Sequence, residues 1–309
     1  MTRYSVHPAT AADAASVAGL LSRQADRLET LDPRLRMPRS AAPGGLVAVS
    51  PSGAVAGHLR PMLVEIPSGD EVLSFAAPRT VHWQELVVAD PEALNTLRLA
   101  AAVPDAAEGV LWPAVDSGAS FVAVGLAAAF VFALRPPEPL EGGAAVAVRR
   151  ARHGDTETLV ALHEAEVGFH EPHTPYIRRV PGLEPAYRAR LDRVWADGDP
   201  AAGSSVIHVA EADGQVVAMC ESMLQIAPTT GAASRLPPGR YGYLNSVSVA
   251  AAHRGSGVGR SVVAAALSDL AAYGVDGYTL WFATGNPLAR RVWPRLGFRP
   301  LWTQYERRF

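Results

Sequence analysis

The chain has one cysteine, Cys220, and no lysine; its 28 basic residues are all arginine. A single thiol excludes an internal disulfide, a multi-cysteine zinc site and a CxxC redox pair, and Cys220 reads as a small buried apolar residue. Without lysine there is no Schiff-base chemistry and no Walker phosphate loop. Any phosphate must be held by backbone N–H groups and arginine. An excess of one charge is also missing. With 28 basic and 30 acidic residues the net charge is -2, which leaves no basic stripe for nucleic acid. No run of about 18 apolar residues is free of charges and turn formers, so no membrane span is expected. Met1 to His7 lacks the basic-then-apolar order of a signal segment. These absences suit a cytoplasmic protein without a metal. What is present is a hydrophobic fraction of 49% over 309 residues, enough for one large domain or two ordinary ones.

The clearest break is Arg135-Pro136-Pro137-Glu138-Pro139-Leu140-Glu141-Gly142-Gly143. Its prolines and glycines cannot continue a helix or a central strand. The expected organisation is a first domain at 1–135, a linker at 136–143 and a second domain at 144–309. The two parts read as weak copies of one plan. Each opens with a short strand and a helix, with Asp13 and Asp155 at the helix N-cap positions. Each has a strand near its middle, at 82–88 and 243–249. Each closes with a glycine, an apolar residue and a last strand.

In the second part the pattern predicts strands at 144–149, 204–211, 215–226, 241–250, 277–283 and 299–308. Helices are expected at 156–167, 184–197, 257–273 and 286–295, with loops at 168–176 and 227–240. Asp213-Gly214 is a hairpin signal. Strands and helices mixed in this order imply an α/β or α+β layer structure.

The chemistry-bearing stretch is Val247-Ser248-Val249 running into Arg254-Gly255-Ser256-Gly257-Val258-Gly259-Arg260, which opens a helix. A helix N-terminus offers unsatisfied N–H groups and a positive dipole end, and glycines let an anion approach the backbone. This predicts a phosphate or diphosphate cradle. The dinucleotide pattern fails, because Arg260 stands where its third glycine belongs.

The spacing Arg254, Gly257, Gly259 resembles the acetyl-CoA signature of the GCN-five-related N-acetyltransferases, the GNAT superfamily. After the next strand, Asn286, Ala289, Trp293, Gly297 and Phe298 fall at the spacing of that family's second signature. The resemblance covers about residues 144–309 and extends weakly to the first part, a tandem arrangement with a degenerate N-terminal copy. It implies two domains, each a mixed, mostly antiparallel sheet flanked by helices and splayed where the pantetheine arm lies. It implies acetyl-CoA as co-substrate. Val247, Ser248 and Val249 would face the arm, Arg254 to Arg260 the diphosphate, and Asn286 the pantetheine side.

The pattern departs in two places. Trp293 stands where the family commonly has the tyrosine acid, and an indole N–H supplies no useful proton; Tyr243 or Tyr305 could substitute. Asn245 stands where the family often has a carboxylate base. Glu221 on the neighbouring strand, or His170, Glu171 or His173 in the following loop, could serve instead. The first part has Pro91-Glu92-Ala93-Leu94 where the cradle would be, with no glycine, so it is expected not to bind CoA. Glu85, roughly aligned with Asn245, is expected to have no catalytic role. The leading expectation is an N-acetyltransferase acting on a small-molecule or peptide amine by direct attack, as a monomer or homodimer. The alternative is a CoA-binding or sensor protein without turnover.

Overall fold

The computed structural model describes residues 3–143, 146–196, 198–199, 201, 203–228 and 236–309. The part of the 227–240 loop at 229–235 lies outside the described residues. The first half runs β1(Ser5–Pro8), α1(Ala14–Leu31), β2(Leu46–Val49), β3(Val55–Glu65), β4(Arg79–Val88), α2(Pro91–Ala101), β5(Ala107–Pro113), α3(Ala119–Ala123) and β6(Ala127–Arg135). The second half runs β7(Ala147–Arg150), α4(Thr156–His170), α5(Leu183–Ala196), β8(Val206–Ala212), β9(Gln215–Ala227), β10(Gly239–Val249), α6(Val258–Ala271), β11(Gly277–Ala283), α7(Pro287–Arg295) and β12(Arg299–Arg307). Apart from α5 the two halves repeat one order of elements. This is the mixed, mostly antiparallel architecture expected, flanked by helices on both sides.

The strands form one sheet in the order β1-β2-β3-β4-β5-β12-β6-β11-β10-β9-β8-β7. The order is a palindrome about its middle, so the halves are related as if by a two-fold axis. The last strands are exchanged. β12 pairs β5 of the first half, with Tyr305 opposite Val110. β6 pairs β11 of the second, with Leu280 opposite Ala133. β12 and β6 pair each other at the centre.

Arg135, at the end of β6, is 5% exposed. Its guanidinium donates to the carbonyls of Leu296, Pro136 and Pro139, so one buried side chain ties the Pro-rich segment to the second half. A buried polar group needs such partners. Each half has an apolar core of its own. Leu94, Leu97 and Trp83 centre one, while Val262, Leu267 and Phe298 centre the other. A third cluster, with Leu28, Leu35 and Phe132 against Tyr241, Leu301 and Trp302, joins them.

The parallel pairs β4·β5 and β10·β11 are short. β10 and β11 stay paired only from Tyr241↔Gly277 to Leu244↔Leu280, and then diverge. At the point of divergence the β9·β10 register slips between Leu244 and Ser246, so Asn245 sits in a bulge. A bulge re-aims side chains next to it.

Candidate active site

Past the bulge, β10 still pairs β9. The Ala250 N–H donates to the Val217 carbonyl at 2.8 Å, and Val249 lies opposite Ala218. Antiparallel pairs alternate between bonded and unbonded. Val247 and Val249 are therefore the unbonded positions, with their N–H and C=O directed toward the gap left by β11. The Val249 carbonyl is taken by Arg254 Nε at 3.1 Å, and the Arg254 guanidinium lies 4.5 Å from the Phe169 ring. Ser248 faces away, its hydroxyl donating to the Leu162 carbonyl at 2.7 Å.

The glycine loop leads into α6 with Gly257 as N-cap at φ 90°, and no side chain caps the helix. Gly255 is also left-handed, at φ 81°. A side chain at Gly259 would meet Val249 Cγ2 at 3.1 Å. The first-turn N–H groups of α6 thus face outward over glycine, a geometry that fits a diphosphate. Ser256 donates to the His253 carbonyl at 2.7 Å, which closes the loop, and Val258 is buried in the core beneath it. Arg260 departs from expectation. Its guanidinium donates to the Glu141 carbonyl at 2.8 Å, so it holds the linker rather than the cradle. Asn286 caps α7, accepting from Leu288 and Ala289 N–H at 2.9 and 3.0 Å, and its amide lies 3.5 Å from His170 Nδ1.

On the other side of the divergence lies a cavity of about 910 Å3 walled by both halves. Asn245, Ser246, Tyr243, Glu166, His163 and His170 line its second-half side. His170 was expected in a loop but ends α4, which runs three residues longer than its sequence pattern suggested. On a helix, residues three and four apart share a face. Leu159, His163, Glu166 and His170 form such a row, directed at the sheet.

Glu166 is the site residue that the sequence reading passed over. Its side chain is 24% exposed. Burial pushes its carboxyl up to about 7, and the nearby Glu221 adds to the rise. The Ser246 hydroxyl, the Val247 N–H and the Arg190 charge pull the other way. The signal that could have found it is a carboxylate on the apolar face of α4.

The other candidates separate from this point. His170 is pushed down to about 4 by burial and by His173, which makes it a poor proton acceptor at neutral pH. His163, stacked on Tyr187 at 4.0 Å, falls to about 3 through burial and the Arg190 charge. Glu171 faces solvent and pairs with Arg179 at 2.9 Å. Glu221, the carboxylate favoured from sequence, is fully buried and is not on the cavity wall. It pairs with Arg190 at 3.1 Å and accepts from the Ser205 hydroxyl at 3.0 Å, so its task is to hold that arginine.

Of the candidate acids, Tyr305 lies elsewhere. Its ring packs on Phe121 in the first-half core, and its hydroxyl donates to the Ser117 carbonyl at 3.1 Å. The strand exchange carries it there. Trp293 packs edge-on against Phe298, with ring centroids 5.5 Å apart, and is not part of the cavity wall. Tyr243 lines the cavity, and burial beside Glu221 and Glu166 pushes its phenol up to about 12.

The first half contributes more than a wall. Its segment 66–78 crosses to the second half. Glu71 pairs with Arg190 at 2.7 Å, and the Ser74 carbonyl accepts from the Arg178 N–H at 2.9 Å. Among the described residues, no helix is long and apolar enough to cross a membrane, and no cluster of three His, Cys, Asp or Glu could hold a metal.

Residues 160–298 match the model of the acetyltransferase (GNAT) family. Among solved structures, a GCN5-related N-acetyltransferase from Sphaerobacter thermophilus is 15% identical with a TM-score of 0.48, covering 99% of this chain and 96% of that one. A tandem GNAT protein from the clavulanic acid biosynthesis pathway is 18% identical with a TM-score of 0.46, covering 98% of each chain. A predicted acetyltransferase with acetyl-CoA from Clostridium acetobutylicum is 17% identical with a TM-score of 0.39, covering 50% of this chain and 90% of that one. No protein of curated function matches the sequence.

Proposed function

We propose, from the premise that residues 160–298 form a domain of the acetyltransferase (GNAT) family, that this protein transfers an acetyl group from acetyl-CoA to an amine held in the cavity between its halves. The observation that carries this reading is the divergence of β10 and β11 past Leu244, with the uncapped N-terminus of α6 on one side and Glu166 on the other. One end suits a diphosphate, and the other suits the removal of a proton. In this reading the diphosphate lies on the N–H groups of 255–259. Val247 and Val249 face the pantetheine arm, and the Val249 N–H polarises the thioester carbonyl.

Glu166 takes the proton of the acceptor ammonium, directly or through water. A carboxyl near 7 is matched to that task at neutral pH, whereas an imidazole near 4 is not. The freed amine nitrogen attacks the thioester carbonyl carbon, the nitrogen gives up its second proton to solvent, the carbon–sulfur bond breaks, and the thiolate leaves with the electron pair. Asn245 cannot take a proton but can orient the acceptor by hydrogen bonding. Trp293 packs the helix and plays no acid role, so the thiolate is protonated by solvent. The first half, 1–135, binds no CoA and completes the acceptor chamber.

The test has two parts. Titration calorimetry should find one acetyl-CoA per chain, and CoA release should follow the addition of a suitable amine. Absence of acetyl-CoA binding, or two equivalent sites, would overturn the assignment of the cradle. Binding without turnover against a broad amine panel would leave a CoA-binding protein and remove the transferase reading.

A further inference from the structure

The chamber has a definite chemistry. Four of the six tryptophans of the chain line it: Trp112 from β5 and Trp281 from β11, half-buried, and Trp83 from β4 and Trp302 from β12, which belong mostly to the apolar cores behind it. The strand exchange is what gathers them, because it seats β12 beside β5 and β6 beside β11. A volume of about 910 Å3 is at the upper end for small-molecule sites, with room for a ring system as well as an amine.

The charges are unevenly matched. Arg60 meets Glu85 at 3.1 Å. Arg190 is shared by two carboxylates, Glu71 at 2.7 Å and Glu221 at 3.1 Å. Glu306 is held by Arg308 at 2.8 Å. Among the described residues Glu166 has no arginine within salt-bridge distance; a hydroxyl and an imidazole are its neighbours. Arg36, on the exposed rim, donates to the carbonyls of Pro33 and Leu35. Among the described residues, Arg60 and Arg190 already face carboxylates, Arg36 at the rim faces carbonyls, and Glu166 faces no arginine.

We infer that the acceptor is a primary amine on an aromatic or broad apolar body without an acidic group, its ammonium directed at Glu166 and its body against the tryptophans of both halves. This rests on the transferase reading of the same chamber. Indole faces attract both apolar surface and an adjacent cation. An acceptor bearing a carboxylate or phosphate would enter beside Glu71, Glu85 and Glu166 and find, among the described residues, no uncommitted interior arginine. An extended polyamine would match little of this apolar wall.

A matched set of ligands tests this: phenylbutylamine, the corresponding alcohol, the corresponding carboxylic acid, and spermidine. Each is titrated calorimetrically into the full chain saturated with CoA. The amine should bind about tenfold tighter than the alcohol, and both tighter than the acid and spermidine. The isosteric Glu166→Gln variant should bring the amine to within about threefold of the alcohol while the alcohol's affinity holds. Equal or tighter binding of the acid or spermidine overturns the inference, as does an unchanged amine preference in Glu166→Gln. Acetyl-CoA titrated alone separates the two readings. If acetyl-CoA binds and another amine is acetylated while the phenylbutylamine set does not bind, the acceptor class is wrong and the transferase stands. If acetyl-CoA fails to bind but the amine preference holds, the transferase reading falls and the chamber's ligand class stands.

Discussion

The two halves answer the same structural question in opposite ways at two places. The first is the helix that follows the central strand. In the second half α6 begins on Gly257 with no side-chain cap. In the first half α2 begins on Asp90, whose carboxylate accepts from the Ala93 N–H at 2.9 Å, with Pro91 next and Glu92 in the first turn. Arg3 then pairs with Asp90 at 2.8 Å. A helix N-terminus favours an anion; the first half supplies one from its own chain, and the second leaves the place open.

The second place is the gap itself. The offset of 142 residues that lays Asp13 on Asp155 also lays Gln24 on Glu166. Gln24 donates to the Leu86 carbonyl at 2.8 Å. On the strand the order is reversed: Glu85 sits in the β4 bulge where β10 has Asn245. The first half therefore has an amide on the helix and a carboxylate on the strand, and the second half the converse. Burial opposes ionisation of Glu85, but His58, the Ala42 N–H and Arg60 together hold its carboxyl below the usual range. Glu166, with no arginine partner among the described residues, is pushed up by burial. A paired carboxylate stabilises the fold, while an unpaired one near neutrality can carry a proton.

The largest expected effect comes from making the second half imitate the first. Gly257→Asp places a carboxylate at the N-terminus of α6, at a backbone conformation that suits glycine. Acetyl-CoA affinity measured by calorimetry should fall by about 100-fold or more, equivalent to roughly 2.7 kcal/mol, with the far-UV circular dichroism unchanged. Retained affinity would sink the cradle assignment and, with it, the contrast between α6 and α2.

Next is Glu166→Gln, which turns the second half's helix residue into the first half's. Turnover with acetyl-CoA saturating should fall by about 100-fold, and the acidic limb near pH 7 should vanish from the rate profile. The groups facing Glu166 are Ser246, His163, Glu221 and Arg190. Because its folded-state carboxyl is raised, the native protein loses stability as pH climbs through about 7. The Gln variant should therefore gain on the order of 2 kcal/mol relative to native at pH 8 and little at pH 5. An unchanged profile would move the base elsewhere.

Glu85→Gln probes the opposite case. A lowered carboxyl contributes stability above its unfolded value, and that contribution fades as pH falls below about 4.5. Thermal unfolding at pH 7 should show a loss of about 2 kcal/mol, because Arg60 is left without its carboxylate. The difference should narrow as pH falls below about 4.5 and through the lowered folded-state value. A loss independent of pH would mean packing, not charge, is the reason for Glu85. The smallest effect belongs to Tyr305→Phe, which removes one hydrogen bond to Ser117 and should cost about 1 kcal/mol. Turnover per folded molecule should hold; a tenfold fall would return Tyr305 to the list of acids.

Much of the local structure was legible in the chain. The strand into Gly255-Ser256-Gly257-Val258-Gly259 and the hairpin at Asp213-Gly214 lie where turn chemistry put them, because φ preferences act over a few residues. The missing glycine at Pro91 was enough to separate the two helix starts. Glu166 escaped because the helical pattern was read as ending at Val167, which left His170 in a loop and broke the row that Glu166 belongs to.

Tertiary structure decided the rest. An apolar strand such as Phe130-Val131-Phe132-Ala133-Leu134 carries the same alternation whichever neighbour it pairs with. The exchange of β6 and β12 was therefore invisible in sequence, and so was the route that took Tyr305 into the first-half core. The protonation of each carboxylate was equally hidden. It depends on which arginine reaches it across the fold: Arg60 reaches Glu85, and among the described residues none pairs with Glu166. Sequence alone determined where backbone can bend and where an anion can approach. Only packing of the two halves determined which carboxylate was left without a cation, because desolvation and charge pairing are properties of neighbours in space.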